Sequence, residues 1–94
     1  MRDDAFEWDD NKAAANLRAH GVSFDAARLA FDDVFAIHRE DRRETYGEDR
    51  YSLLGMVDGR LFHVAYTYRG ERKRIIMARG AEPYEKRLYH EDNS

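Results

Sequence analysis

The dipeptide Asp58-Gly59, set between two runs of strand-forming residues, constrains this chain more than any other feature. A two-residue loop of this composition takes a type I′ turn, whose twist suits a β-hairpin. It joins residues 50–57 to residues 60–68 and fixes their pairing. Val57 then faces Arg60, Gly55 faces Phe62, Leu53 faces Val64 and Tyr51 faces Tyr66. That face is the more apolar and should pack on helices. The other carries Arg50, Ser52, Leu54, Met56, Leu61, His63, Ala65 and Thr67.

The remaining elements follow from local signals. Residues 5–8 read as a short strand or extended arm. Asp9 is placed to cap a helix running to about His20, with Ala13, Ala14 and Leu17 as its apolar stripe. Gly21 suits its C-terminal cap, and Val22 follows to fold back on it. Ser23 caps a second helix, in which Phe24, Ala27 and Phe31 recur at helical spacing until Asp32-Asp33 ends it. Residues 34–39 form a strand and residues 40–49 a charged loop. A turn at Arg69-Gly70-Glu71 leads to a last strand over residues 72–79. Residues 82–90 form a helix that accommodates Pro83 in its first turn, and residues 91–94 should fray.

Helices at both ends and hairpins between them give an α+β class. The expected architecture is an antiparallel sheet of about four strands, packed against two N-terminal helices and one C-terminal helix. All 94 residues fit one domain, and no linker or repeat interrupts them. The register of the last strand stays open. A two-residue turn puts Arg74 on the face of His63, and a three-residue turn puts Lys73 and Arg79 there instead.

With no cysteine, disulfides, thiolate metal sites and cysteine nucleophiles are excluded together. The acidic start, residues 1–10, resembles neither a signal nor a transit peptide. No apolar run approaches the roughly 20 residues that span a bilayer, so no membrane association is expected and the cytoplasm is the expected compartment. Net charge is −3, but it is segregated. Residues 1–10 carry Asp3, Asp4, Glu7, Asp9 and Asp10 against Arg2. Residues 69–87 carry seven cations (Arg69, Arg72, Lys73, Arg74, Arg79, Lys86, Arg87) against Glu71, Glu82 and Glu85. Such a pattern can place a basic surface on an acidic protein.

The phosphate-loop, dinucleotide and nucleophile-elbow motifs are absent. His20, His38, His63 and His90 lie far apart and give no zinc spacing, so neither a metal nor another cofactor is expected. What remains is the last strand, Arg72-Lys73-Arg74-Ile75-Ile76-Met77-Ala78-Arg79, in which arginines flank core material. Arginine forks match phosphate oxygens, so this strand can lay cations along an RNA backbone. The competing reading is that the charges guard the strand against edge pairing. Lys12 opposes the dipole of the first helix. Glu48 and Arg50 are either a surface ion pair or part of a site, and His63 is either a packed residue or a base.

Taken in order, several of these stretches resemble one family. Phe6-Glu7-Trp8-Asp9, Lys12, Asn16-Leu17, His20-Gly21-Val22-Ser23-Phe24 and Phe31-Asp32-Asp33 are similar to the N-terminal half of the BrnT toxins. Gly47-Glu48-Asp49-Arg50, Gly55, Gly59-Arg60, Arg74-Ile75-Ile76-Met77-Ala78-Arg79 and residues 85–89 are similar to the C-terminal half. The chain departs from the commonest pattern at Met77, where a serine is frequent, and at Gly80-Ala81-Glu82-Pro83, where the turn is often more basic.

The resemblance implies a RelE-like fold and a ribonuclease toxin of a type II toxin–antitoxin pair. It also implies a DNA-binding BrnA-like antitoxin, through which alone operator DNA is contacted. It carries Lys12, Arg72, Arg74 and Arg79 over as basic active-site residues. Cleavage of RNA by its own 2′-hydroxyl needs a proton acceptor, a proton donor and cations, but no metal. Glu48 or His63 can be the acceptor, and the sequence does not choose between them. Arg50, His63 and Lys73 are expected to bind RNA. The alternative is a non-catalytic module that binds nucleic acid or protein through the same basic strand.

Overall fold

The computed structural model describes residues 1–42 and 47–93, so residues 43–46 of the charged loop expected over residues 40–49 lie outside them, while Glu40 and Asp41 belong to a strand rather than to the loop. The elements are β1 (Phe6–Glu7), α1 (Asp10–His20), α2 (Phe24–Arg28) continued by a 3₁₀ turn (Leu29–Asp32), β2 (Ile37–Asp41), β3 (Arg50–Val57), β4 (Arg60–Arg69), β5 (Arg72–Gly80) and α3 (Pro83–Asp92).

The central hairpin has the expected register, from Val57 opposite Arg60 to Tyr51 opposite Tyr66. Asp58 and Gly59 both take positive φ, 48° and 79°, as a type I′ turn requires. The β4–β5 hairpin turns on Gly70-Glu71, pairing Arg69 with Arg72 and Thr67 with Arg74. A β-bulge then follows at Ala65/Tyr66. Tyr66 pairs with Ile75 and Ala65 with Met77, so Ile76 is the extra residue and Arg79 falls opposite His63. Arg74 and Arg79 are an odd number of residues apart, which in a regular strand puts them on opposite faces. The bulge reverses the alternation, so both share the face of His63 and Thr67, while Lys73 stays on the other.

The sheet has five strands in the order β1-β5-β4-β3-β2 and is mixed, not a four-stranded antiparallel sheet. The added strand is β1, which runs parallel to β5 with Phe6 beside Lys73 and Glu7 beside Arg74. The Asp3 carboxylate shapes the arm before it by accepting from the Ala5 and Phe6 amides, at 2.9 and 2.7 Å. The Lys73 amide bonds to the Ala5 carbonyl.

α1 and α2 cover the apolar face. Phe24, Ala27 and Ala30 pack with Phe6, Trp8, Val22, Leu53, Phe62, Val64, Tyr66, Ile75 and Ala78 as the main core. α1 docks by only part of the expected stripe: Ala13 packs against the core, while Ala14 is exposed and Leu17 is 50% exposed. Its buried residue is Asn16, whose amide donates to Val22 O (3.0 Å) and Ala78 O (2.8 Å) while its oxygen accepts from Ala78 N (3.1 Å). β1 pairs with β5 only at Lys73 and Arg74. Asn16 supplies hydrogen bonds further along, at Ala78, where a buried backbone group would otherwise lack them.

α3 takes the other face, where Leu54, Leu61 and Tyr89 form a second, smaller cluster. Asp33 ties that helix down. Its carboxylate accepts from Met56 N (2.8 Å), Phe35 N (2.9 Å) and the Tyr89 hydroxyl (2.7 Å). The turn this makes delays the next strand, which begins at Ile37 rather than residue 34 and leaves Val34 and Phe35 exposed. The chain end holds longer than expected, because α3 runs to Asp92 and the Asn93 amide donates to Phe35 O. Among the described residues no helix is long and apolar enough to cross a membrane.

Candidate functional site

α3 enters against the sheet through a capping box. Glu82 precedes Pro83, and Glu85, three residues after the cap, accepts from the Glu82 amide at 2.8 Å. That bond points the Glu85 carboxylate at the sheet, where it is buried with 4% exposure. A buried carboxylate needs compensation. Arg79 supplies it as a two-pronged pair, Nη1 to Oε1 at 2.7 Å and Nη2 to Oε2 at 3.3 Å. His63 Nδ1 lies 2.9 Å from Oε2. Burial pushes the Glu85 carboxyl up, but the Arg79 guanidinium, the Glu82 amide and His63 outweigh it and hold the group below its ordinary value. Glu85 in turn raises Arg79.

The carboxylate fixes the imidazole. Only a protonated Nδ1 can donate to Glu85, so in the neutral ring Nε2 carries the lone pair and is the basic nitrogen. A cleft of about 220 Å³ adjoins this group between α3 and the β2–β3 part of the sheet. His63, Glu85 and Tyr84 are among the residues that line it, and Tyr84 is 57% exposed.

The other residues singled out from sequence are distributed unevenly. Arg74 is on the same face, with Nη1 on Glu7 Oε2 at 2.6 Å. Lys12 is exposed in the first turn of α1. Asp9, the helix cap, is held below its ordinary value by the Lys12 amide first, then against burial by the Asn11 amide and the charges of Lys12 and Arg74. The charges of Lys12 and Arg74 thus both act on Asp9, which follows β1, while Arg79 lies toward the far end of β5. Arg72 donates from Nε to Asp3 O at 2.7 Å and ties down the N-terminal arm. Lys73 is on the reverse face, its ammonium 5.7 Å from the ring centres of Phe6 and Phe31 and 6.0 Å from that of Tyr68. Glu48 lies between Arg50 (3.8 Å) and Arg69 (3.3 Å). Arg50 and Leu54 are four positions apart on β3, and Leu54 faces His63, so that pair stands roughly 13 Å along the sheet from the imidazole.

Of the eight residues, then, the fold groups His63 with Arg79, adds Arg74 on the same strand and face, and sets Lys12, Glu48, Arg50, Arg72 and Lys73 apart. Sequence reasoning missed Glu85 and Tyr84. The capping pattern Glu82-Pro83-x-Glu85 was there to be seen, but it signals only a helix start and not what the carboxylate faces. Among the described residues no group of three or more His, Cys, Asp or Glu side chains converges as a metal site would.

The protein is thus of the α+β class, with a five-stranded mixed sheet that carries a histidine–carboxylate–arginine group on one face. The family is specific. The chain belongs to the BrnT family, the ribonuclease toxins of type II toxin–antitoxin systems, whose family model matches residues 8–85 and so includes His63, Arg79 and Glu85. A search of curated proteins finds no match. Membership of a type II system implies a protein antitoxin as partner.

Proposed function

We propose that this chain is a metal-independent endoribonuclease that cleaves RNA on the His63 face of its sheet. It inhibits translation in that way, within a RelE-like fold, and is neutralised by a DNA-binding BrnA-like antitoxin in the cytoplasm. The observation that carries the reading is the 2.9 Å contact of His63 Nδ1 with a buried Glu85 already paired to Arg79.

His63 Nε2 takes the proton of a ribose 2′-hydroxyl, and the 2′-oxygen attacks the adjacent phosphorus. The bond from phosphorus to the 5′-oxygen breaks, and that oxygen takes a proton from solvent. The products are a 2′,3′-cyclic phosphate and a 5′-hydroxyl. Once His63 is protonated, it, Glu85 and Arg79 together carry one net positive charge beside the phosphorane, where the extra negative charge develops. Arg74, on the same strand and face as Arg79, serves a flanking phosphate, and Lys12 adds a cation from the start of α1. Glu85 positions His63 rather than reacting, because its oxygens are engaged by Arg79, His63 and the Glu82 amide.

The test is incubation of the purified protein with RNA in excess EDTA, followed by analysis of the new ends. Cyclic or 3′-phosphate ends from the wild-type protein, and their absence with His63→Ala, support the reading. A requirement for Mg²⁺, or 5′-phosphate ends, overturns the mechanism. Binding of RNA without cleavage favours the non-catalytic alternative.

A further inference from the structure

The cleft beside His63 is unused by the chemistry above, and its construction suits one kind of occupant. Ile37, Leu54 and Leu88 give its lining an apolar part. Ser52 adds a hydroxyl, Arg39 and Arg42 add cations, and Asp41 and Glu40 add carboxylates, Glu40 being paired with Arg42 at 3.0 Å. Tyr84 lines it too and is 57% exposed although it carries a large ring. An aromatic side chain kept in water next to a reactive group has no packing reason to be there, since α3 is held by Glu85, Leu88 and Tyr89 instead. At about 220 Å³ the cleft falls below the roughly 300–1,000 Å³ of pockets for extended ligands. It has room for a single flat ring system.

The geometry points to a subsite for one unstacked nucleobase of the RNA, next to the phosphate that His63 serves, with Tyr84 as the ring on which the base stacks. This rests on the ribonuclease reading and names what that reading leaves open, the part of the substrate held next to the cut. A nucleobase has two apolar faces and a polar edge, and the cleft offers matching surfaces. The apolar part of the lining and Tyr84 take the faces, and the Ser52 hydroxyl meets the edge as donor or acceptor. Arg39 suits the next phosphate. Single-stranded RNA is recognised in this way, by bases splayed onto aromatic rings. An antitoxin side chain is the competing occupant, and the experiment separates the two.

The probe is a labelled 2′-O-methyl RNA oligonucleotide, which cannot be cleaved by its own 2′-oxygen, together with versions carrying one abasic position moved stepwise along it. Affinity is read by fluorescence anisotropy, so it does not depend on turnover. The proposal expects one abasic position to weaken binding about ten-fold, on the scale of one base–aromatic stack. It expects Tyr84→Ala to cause a similar loss for the intact probe and none for that abasic one, and Tyr84→Phe to restore the wild-type behaviour. Thermal melting of the variants checks folding, and Ser52→Ala should alter the ranking of the four bases at that position. Equal affinity at every abasic position, or an effect of Tyr84→Ala that is the same for intact and abasic probes, overturns the subsite. Loss of antitoxin binding in Tyr84→Ala with RNA binding unchanged assigns the cleft to the antitoxin and also overturns it. Failure of the ribonuclease reading looks different, because the base-dependent affinity then persists in a protein that does not cleave ordinary RNA.

Discussion

In the proposed mechanism Glu85 binds catalysis and folding together at a single residue. Considered as strand decoration, Arg79 is dispensable to the fold. Its two-pronged pair with a carboxylate whose side chain is 5% exposed says otherwise. Removing one member leaves the other charged and desolvated, which costs roughly 3–5 kcal/mol for a fully buried pair. Arg79 keeps 23% side-chain exposure, so Arg79→Ala is expected to destabilise by less, about 2–3 kcal/mol, measured by urea unfolding. Glu85→Gln keeps the shape and removes the charge. It should lower kcat by roughly 10²-fold or more, because the imidazole loses the partner that sets its tautomer. The pH dependence has a definite sign. The folded-state pKa of Glu85 is lowered, so its contribution is present above the ordinary value of 4.5 and is lost as pH falls through the lower folded value. Melting temperature against pH should therefore drop in acid for the wild type, and Glu85→Gln should flatten part of that drop. An unchanged acid limb in the variant would show that the pair does not stabilise the fold.

At the scale of elements, what could be read from sequence was local. The Asp58-Gly59 turn, the caps at Asp9 and Ser23 and the C-terminal glycine of α1 depend on neighbours a few residues away, and each took its expected form. The misses are long-range. A two-residue strand that pairs with β5 beyond both hairpins carries no periodicity to detect. Asn16 interrupts an alanine-rich stripe and looks like a surface residue until Ala78 is seen beside it. The bulge at Ile76 decides which arginines share a face, yet Ile75-Ile76 reads as uniform core. Ile75 is 2% exposed and Ile76 is only partly buried, so Ile75→Ala is the variant that should cost about 2–5 kcal/mol through a cavity, with Ile76→Ala costing clearly less. Gly55 gives a sharper test of how α2 and its 3₁₀ extension sit on the sheet. A Cβ there would lie 2.5 Å from Ala30 O and 2.9 Å from Ala30 Cβ, and a backbone carbonyl cannot swing aside as a flexible side chain can. Gly55→Ala should therefore destabilise by about 1–3 kcal/mol despite being the smallest possible addition. Equilibrium unfolding that leaves its stability at the wild-type value would mean that the helical layer yields more easily than the close approach implies.

For the molecule as a whole, a net charge of −3 is compatible with the proposed RNA substrate because of where the charges lie. Arg74 and Arg79 reach the working face because of the bulge, Glu7 and Glu85 each hold one of them in place, and Lys73 is withdrawn among rings on the reverse side. An antitoxin that silences such a protein has two routes, to cover the working face or to distort it from the helical side. Distortion must work against the main core, where Phe24, Ala27, Ala30 and Val64 are almost fully buried. Covering needs only an acidic or extended segment laid over Arg74 and Arg79, which keep 28% and 23% side-chain exposure, in place of RNA phosphates. The expected result is therefore strict competition. A labelled 2′-O-methyl RNA bound to the toxin should be displaced by antitoxin at one equivalent, and both affinities should weaken as salt rises. Arg74→Gln should weaken both partners together, whereas Lys73→Gln, on the opposite face, should weaken neither directly. A stable ternary complex of toxin, RNA and antitoxin would place the antitoxin on the helical face and leave distortion as the route of silencing.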